Sequence, residues 1–250
     1  NSGARFFSFL FFYKLGKVLL TTAAAATTMI KAVLFDLDNT LLPIDSDYAW
    51  GEFSQHIGWT DPVSFKARND QFYADYQAGI LDIHDYVRFA TDAVRLKGAA
   101  LAEKAHHQFM REIILPAVKP AAIELVAQHQ DAGDHVMIVT ATNEFVTRPI
   151  ANAFGVTELI AVELARDAEG WITGEIAGTP SFKEGKVTRV AQWLTAKGLR
   201  WSDVHITFYS DSVNDLPLLE IAQTPVATNP DARLRQLATD RGWRTLQLFS

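Results

Sequence analysis

The run Val33-Leu34-Phe35-Asp36-Leu37-Asp38-Asn39-Thr40-Leu41-Leu42 limits the folds open to this chain more than any other stretch. It starts as a short apolar segment with Val and Phe, the pattern of a buried strand in a parallel sheet. Two carboxylates follow, two residues apart. In extended backbone, residues i and i+2 face the same side, so Asp36 and Asp38 converge on one site. Acids held so close repel each other unless a cation or a shared proton relieves them. A strand with such an end points to chemistry there.

The first strand spans roughly Lys31–Asp36. From Ile44 to Pro116 no strand runs occur. The pattern there predicts helices over Asp47–Ile57, Asp61–Ala78, Asp82–Leu96 and Leu101–Ile114. Asp61-Pro62 and Asp82 serve as starts, and Gly58, Gly79 and Gly98 as stops. Four helices in succession read as a bundle lobe inserted after the first strand. Beyond it come a helix over Lys119–Gln130 and a strand over His135–Val139, ending in Thr140-Ala141-Thr142-Asn143. Helix Glu144–Phe154 and strand Glu158–Val162 follow. Glu163–Gly178 alternates around the turn signal Asp167-Ala168-Glu169-Gly170 and reads as a β-hairpin. Then come helix Glu184–Lys197 and strand Val204–Tyr209, which ends in Ser210-Asp211-Ser212-Val213-Asn214-Asp215. A short helix, strand Thr224–Ala227, helix Asp231–Thr239 and a strand near Arg244–Phe249 complete the chain. Strands alternating with helices imply an α/β fold with a parallel sheet.

At 250 residues there is room for one large α/β domain or a domain with an inserted lid. The net charge of −6 disfavours nucleic acid, and no basic stripe reverses it. A small anionic substrate therefore needs a local cation. With no Cys, disulfides, thiolate metal sites and a Cys nucleophile are excluded. This fits a reducing cytosol, and a cytoplasmic location is expected. Phe6–Leu20 is apolar but interrupted by Lys14, Gly16 and Lys17, and is short for a bilayer span. Phe6–Tyr13 followed by the small run Ala23–Ala26 has some signal-peptide character. Lysines after the apolar core argue against it, and Met29 looks like the natural start. Residues 1–28 are expected to be an extension outside the fold, with no membrane partner.

In open α/β sheets, ligands bind beyond the carboxyl ends of the strands. Three expected strands end in polar clusters: Asp36/Asp38, Thr140/Asn143, and Asp211/Asn214/Asp215. Lys183 or Lys186 supplies a cation at the start of the helix before the last cluster. Acids, a hydroxyl and a lysine at such ends suit Mg²⁺ and a phosphate, because Mg²⁺ takes one or two carboxylates, waters and phosphate oxygens.

These pieces resemble the haloacid dehalogenase superfamily, in its phosphoserine-phosphatase-like branch (subfamily IB). The matching residues are Asp36-Leu37-Asp38-Asn39-Thr40, the Thr140 strand end, Lys186, and Ser210-Asp211-Ser212-Val213-Asn214-Asp215, in the family's order. A lone D-x-D is a weak signal; four elements at expected strand ends and helix starts are a strong one. The resemblance implies a doubly wound, Rossmann-like core over residues 29–43 and 117–250, with a helical cap over 44–116. It implies a Mg²⁺-dependent phosphatase acting on a small phosphorylated metabolite. Asp36 would be the nucleophile that forms an aspartyl-phosphate. Asp38 would be the general acid and then the base, with its protonated form favoured by proximity to Asp36. Asp36, the Asp38 backbone and Asp211 would bind Mg²⁺. Thr140, Asn143 and Lys186 would hold phosphoryl oxygens. Asn214 and Asp215 would stand behind them, orienting the ligands or the lysine. The family's spacing from lysine to the helix-ending glycine selects Lys186, counted from Gly198, and leaves Lys183 as a solvated helix-start residue.

Asp45 lies where phosphoserine enzymes carry a Glu for the substrate amine. Their following F-x-x-x-L-x-x-R, whose Arg binds the substrate carboxylate, aligns with Ile83-His84-Asp85-Tyr86-Val87-Arg88-Phe89-Ala90. Ala90 takes the Arg position, and Arg88, two residues off, is turned about 200° away on a helix. Asp45 and Arg88 are the candidate specificity residues. An amine-bearing phosphomonoester without a carboxylate, such as histidinol phosphate, fits Asp45 better than phosphoserine. Plainer readings stand beside these: Thr140, Asp215 and Asp45 as helix caps, and Trp50, Phe72, Tyr73 and Tyr76 as an ordinary core face. No His is assigned a function. The competing functions are a phosphotransferase or mutase with the same nucleophile, and a non-catalytic binding module on the same fold.

Overall fold

The structure, a computed structural model, describes residues 29–249. The apolar segment before Met29 lies outside the described residues. In chain order the strands are β1 (Ile30–Phe35), β2 (His135–Asn143), β3 (Glu158–Val162), β4 (Leu164–Arg166), β5 (Ile172–Ile176), β6 (Val204–Ser210), β7 (Thr224–Thr228) and β8 (Arg244–Leu246). Six of them form one sheet in the order β3-β2-β1-β6-β7-β8, and every pairing in it is parallel. β4 and β5 make a separate antiparallel hairpin, at the place the sequence expects one.

The central strand is buried on both faces. Val33 and Phe35 join one apolar cluster, and the alternate residues Ala32 and Leu34 join the other. The first face is covered by α6 (Pro120–Asp131) and α7 (Glu144–Ala153), through Val126, Val146 and Ile150. The second is covered by α8 (Glu184–Ala196), α9 (Leu216–Ile221) and α10 (Ala232–Arg241), through Leu194, Leu218 and Leu234. The sheet is doubly wound.

The inserted segment holds α1 (Ser46–His56), α2 (Ser64–Ala78), α3 (Ile83–Lys97) and α4 (Ala99–Phe109). A π-helical turn, Met110–Ile114, and a short α5 (Leu115–Ala117) carry the chain back toward the sheet. The π turn comes just before Pro116, which lacks the N–H needed to continue an ordinary helix. Asp45 and Asp82 cap α1 and α3, and Gly79, at φ +73°, closes α2 in the left-handed region. The four helices do not form a self-contained bundle. Trp50 of α1 and Phe109 of α4 meet edge-on, and Trp50 also meets Phe145 of α7 edge-on, so these helices share the apolar cluster of the sheet. α2 and α3 lie above as a roof whose rings meet across the two helices, Phe65 stacked on Phe89 at 4.4 Å and Phe72 edge-on to Tyr86 at 5.3 Å. Asn69 is the one residue of α2 that is fully buried.

Two expected ends shift. β2 runs on to Asn143, past Val139. The last strand stops at Leu246 because the N–H groups of Leu248 and Phe249 donate to Oδ1 of Asn229 instead of a ladder. No helix among the described residues is long and apolar enough to cross a membrane.

Candidate active site

Parallel pairing brings three strand ends together. β1 lies between β2 and β6, with Phe35 level with Ile138 and with Tyr209. Asp36 therefore emerges between Thr140 on one side and Ser210-Asp211 on the other, and its N–H still donates to the Tyr209 carbonyl at 2.9 Å. A pocket opens over these ends. Its floor includes Asp36, Asp38 and Thr140, and its walls include Tyr73 and Tyr86.

Lys186 supplies the cation. Its ammonium donates to Asp36 Oδ1 at 2.9 Å and to Asp215 Oδ2 at 2.7 Å. All three side chains are almost fully buried. Ser210 adds a third hydrogen bond by donating to Asp215 at 2.7 Å. Burial works against the charge on Lys186, but Asp215 and Asp36 outweigh it and hold its pKa above the ordinary ammonium value. The turn that delivers Lys186 depends on Gly185. A Cβ there would sit 1.9 Å from the Pro180 carbonyl, so a side chain at this position requires the backbone to move. Ser181 pins the same turn by donating to the Thr140 carbonyl at 2.7 Å.

Asp211 has no such partner. Thr40 Oγ1 donates to its carboxylate at 3.2 Å and accepts from its N–H at 3.0 Å, tying the β1 and β6 loops together. Burial, then Asp36 and Asp215, push the Asp211 carboxyl well above its usual range. Asp36 is likewise raised by burial, with Lys186 opposing. Two carboxylates that repel each other beside a single lysine form a donor set that fits a hard divalent cation. Among the described residues no three acids or histidines group into a cage. Mg²⁺ does not need one, since waters and a phosphate complete its shell.

Asp38 is held differently. Its Oδ1 accepts from the Ser46 N–H, the first of α1, at 2.7 Å, and its Oδ2 from Thr142 Oγ1 at 2.8 Å. Burial, then Asp45, lift its pKa to about 7. The neighbour that favours its protonated form is Asp45 rather than the expected Asp36. Asp45 Oδ1 accepts from the N–H groups of Asp47 and Tyr48 at 3.0 and 2.8 Å, and its pKa is raised to about 6, chiefly by burial. Asp45 thus lines the pocket and caps the helix at once. Asp47, two residues on in the first turn of α1, is raised to about 7 by burial and by Asp38. The sequence reading missed Asp47.

Three expected placements are corrected. Asn143 does not face the pocket. Its Oδ1 caps α7 through the Val146 N–H at 3.2 Å, and its Nδ2 donates to Asp47 at 3.2 Å, so the amide is occupied on both sides. Arg88 points to solvent, where it pairs with Asp85 and Glu175, while Tyr86 and Ile83 of the same helix face the pocket. Lys183 is not a solvated residue. Its ammonium donates to the Gly79 carbonyl at 2.6 Å, and its backbone sits at φ +51°. Asn214 reaches the roof as well, donating to the Tyr76 carbonyl at 2.9 Å. Trp50 is core, whereas Phe72, Tyr73 and Tyr76 line the pocket. Asn229, also unforeseen, donates to the carbonyls of Asn39 and Thr40 and fixes the loop after Asp38. Thr142, Ser181 and Asn229 lack a local sequence signal, because their partners lie more than 40 residues away in the chain.

Comparison with known proteins agrees with this geometry. Residues 33–220 match the family model for haloacid dehalogenase-like hydrolases. A histidinol-phosphatase of Neisseria meningitidis serogroup C (strain 8013) is 44% identical over 220 residues, covering 87% of this chain and 99% of the relative. A phosphoserine phosphatase of Mycobacterium tuberculosis (strain ATCC 25618 / H37Rv) is 31% identical over 215 residues, covering 85% of this chain and 69% of the relative. Among solved structures, a protein of unknown function from Bordetella pertussis Tohama I has a TM-score of 0.84 at 45% identity, covering 89% of this chain and 100% of that one. A substrate-bound phosphoserine phosphatase has a TM-score of 0.62 at 16% identity, covering 87% and 92%, a likeness of fold. The converging strand ends, the matched family model and these relatives together place the chain in the haloacid dehalogenase-like hydrolases, as a phosphoric monoester hydrolase.

Proposed function

We propose that this chain hydrolyses a small amine-bearing phosphomonoester, histidinol phosphate being the best fit, with Mg²⁺ and through an aspartyl-phosphate on Asp36. The observation that carries this reading is the unlike treatment of two carboxylates two residues apart. Asp36 is paired with Lys186 at 2.9 Å, while Asp38 meets only neutral donors and is lifted to about 7. A cationic partner on Asp36 and none on Asp38 supports the first as the nucleophile and the second as the proton carrier.

Asp36, Asp211 and the Asp38 backbone would hold the ion. Bound Mg²⁺ would neutralise charge on the phosphoryl oxygens and relieve the repulsion between Asp36 and Asp211. Asp36 then attacks phosphorus. The P–O bond to the leaving group breaks, and the alkoxide takes its proton from Asp38. Lys186 opposes the burial that raises Asp36 and holds its carboxylate in place. In the second half, Asp38, now a carboxylate, takes a proton from the water that attacks the aspartyl-phosphate. Inorganic phosphate leaves and Asp36 is restored. The pocket under the roof limits water during the first step.

The substrate reading rests on the pocket's lining. Acids and tyrosines form its walls, and no Lys or Arg is among the lining residues. A substrate carboxylate finds no cation there, and a substrate amine finds acids. The neisserial histidinol-phosphatase, with 44% identity, supports the same choice. A phosphate-release screen over small phosphomonoesters with Mg²⁺ tests it. Histidinol phosphate is expected to exceed phosphoserine in kcat/KM, and Asp36→Asn to lose about 10⁴-fold or more in kcat while remaining folded by circular dichroism. A preference for phosphoserine defeats the substrate assignment.

A further inference from the structure

Resting on the hydrolase reading above, we infer that Asp47, rather than Asp45, is the specificity-determining residue that receives the substrate's nitrogen cation. Both acids line the pocket, but their charges are met differently. As the N-cap of α1, Asp45 has Oδ1 already taken by two N–H groups, whereas Asp47, in the first turn of the same helix, accepts one side-chain bond. Asp47 is 5% exposed; its side-chain hydrogen bond comes from the neutral Asn143 amide at 3.2 Å, and Tyr86 lines the same pocket. No cationic side chain acts on it.

A buried carboxylate without a cation is costly unless the protein gains something from it. Here its surroundings suit a charged nitrogen. Tyr86 belongs to an aromatic pair with Phe72, and Tyr73 to a second pair with Tyr48, at 5.3 and 5.2 Å between ring centres. Ring faces attract cations, more strongly where water is excluded. Asp47 also stands on the helix that holds Asp38 through Ser46. A cation bound at Asp47 is therefore fixed relative to the proton carrier, which aligns the ester for attack. Asn143 contributes here by positioning: it holds Asp47 rather than the phosphate.

The test compares wild type with Asp47→Asn on histidinol phosphate and on 4-nitrophenyl phosphate, which bears no cationic nitrogen, with Mg²⁺ present. The isosteric amide removes the charge. The expected result is a fall of about 10- to 100-fold in kcat/KM on histidinol phosphate, chiefly in KM, with a loss on the neutral ester at least about tenfold smaller. Equal losses on the two esters overturn the assignment. In parallel, calorimetry measures binding of histidinol itself to both proteins. A drop of about tenfold or more in affinity for Asp47→Asn supports the assignment, and unchanged affinity overturns it. That arm decides even if wild type releases phosphate from neither ester, a result that would defeat the hydrolase reading alone. If Asp47→Asn does not fold, Tyr86→Phe removes the hydroxyl beside Asp47 and takes its place in both arms. The same selective loss is then expected, and equal losses again overturn the assignment.

Discussion

The floor of the pocket and its roof are built on opposite principles. The floor hangs from β1, whose Ala32, Val33, Leu34 and Phe35 are 0–1% exposed and packed on both faces. The roof rests on α2, where one polar residue, Asn69, is fully buried. Its cohesion comes from stacked rings and from two core side chains, Lys183 and Asn214, that hold carbonyls at the end of α2. Apolar burial is non-directional and deep, so it fixes the reacting groups. A few polar contacts to backbone can be broken one at a time, which suits a part that must admit substrate.

The sharpest way to break this contrast is at the floor. Phe35→Ala leaves a cavity beneath Asp36, where the ring now stacks on Tyr209 at 4.7 Å. It is expected to cost about 3–5 kcal/mol of global stability in urea unfolding. A loss below about 1 kcal/mol would mean that the sheet does not carry the fold as described.

A second probe lies where α4 joins the sheet's cluster. His106 is buried against Trp50 and Phe145, with Nε2 on the Val146 carbonyl at 3.1 Å and Nδ1 without a partner. Burial holds its pKa below the ordinary value of 6.5. The unfolded chain therefore binds the proton more readily. The stability from a neutral His106 is complete above about pH 6.5 and falls as pH drops below it, by at most about 1.4 kcal/mol per pH unit. Urea unfolding of wild type and His106→Phe between pH 7.5 and 5 measures this. Parallel curves for the two proteins would remove His106 as the cause.

The smallest expected effect on stability is at the roof. Lys183→Met keeps the aliphatic stem and removes the ammonium that donates to Gly79. Activity is expected to fall by about tenfold in kcat/KM, while the unfolding midpoint stays near wild type, because the bond lies outside the main cluster. A stability loss comparable to that of Phe35→Ala would dissolve the distinction between floor and roof.

The parts of the site legible in the sequence are those whose partners follow from topology. A parallel sheet places all its carboxyl ends on one edge, so Asp36, Thr140 and Asp211 were bound to approach one another once their strands were identified. A cation followed because Lys183 and Lys186 open the helix leading into β6, and the family's spacing to Gly198 chose Lys186. What stayed hidden depends on where distant backbone passes. Lys183 looks solvated until Gly79, 104 positions away, comes within reach. Asn143 looks like a phosphate donor until α7 starts on it and Asp47 arrives from α1. The helical phase of Arg88 was readable, but which face of α3 meets the pocket is decided by α2 and by β5, where Glu175 draws the guanidinium outward. The role of α1 and α4 as part of the sheet's own cluster was equally beyond pattern, since an apolar helix face does not name its partner.

The bond from the Ser46 N–H to Asp38 has a further consequence. It is made by the first peptide of the segment that leads away into α1 and the roof, so Asp38, the proposed proton carrier, and that segment share a hinge pin. The lysine and its two acids are anchored to other parts of the chain. On the roles proposed above, a shift that lifts α1 would unseat Asp38 while leaving the lysine on Asp36 undisturbed, and the protein would stall at proton delivery before it lost its grip on phosphate.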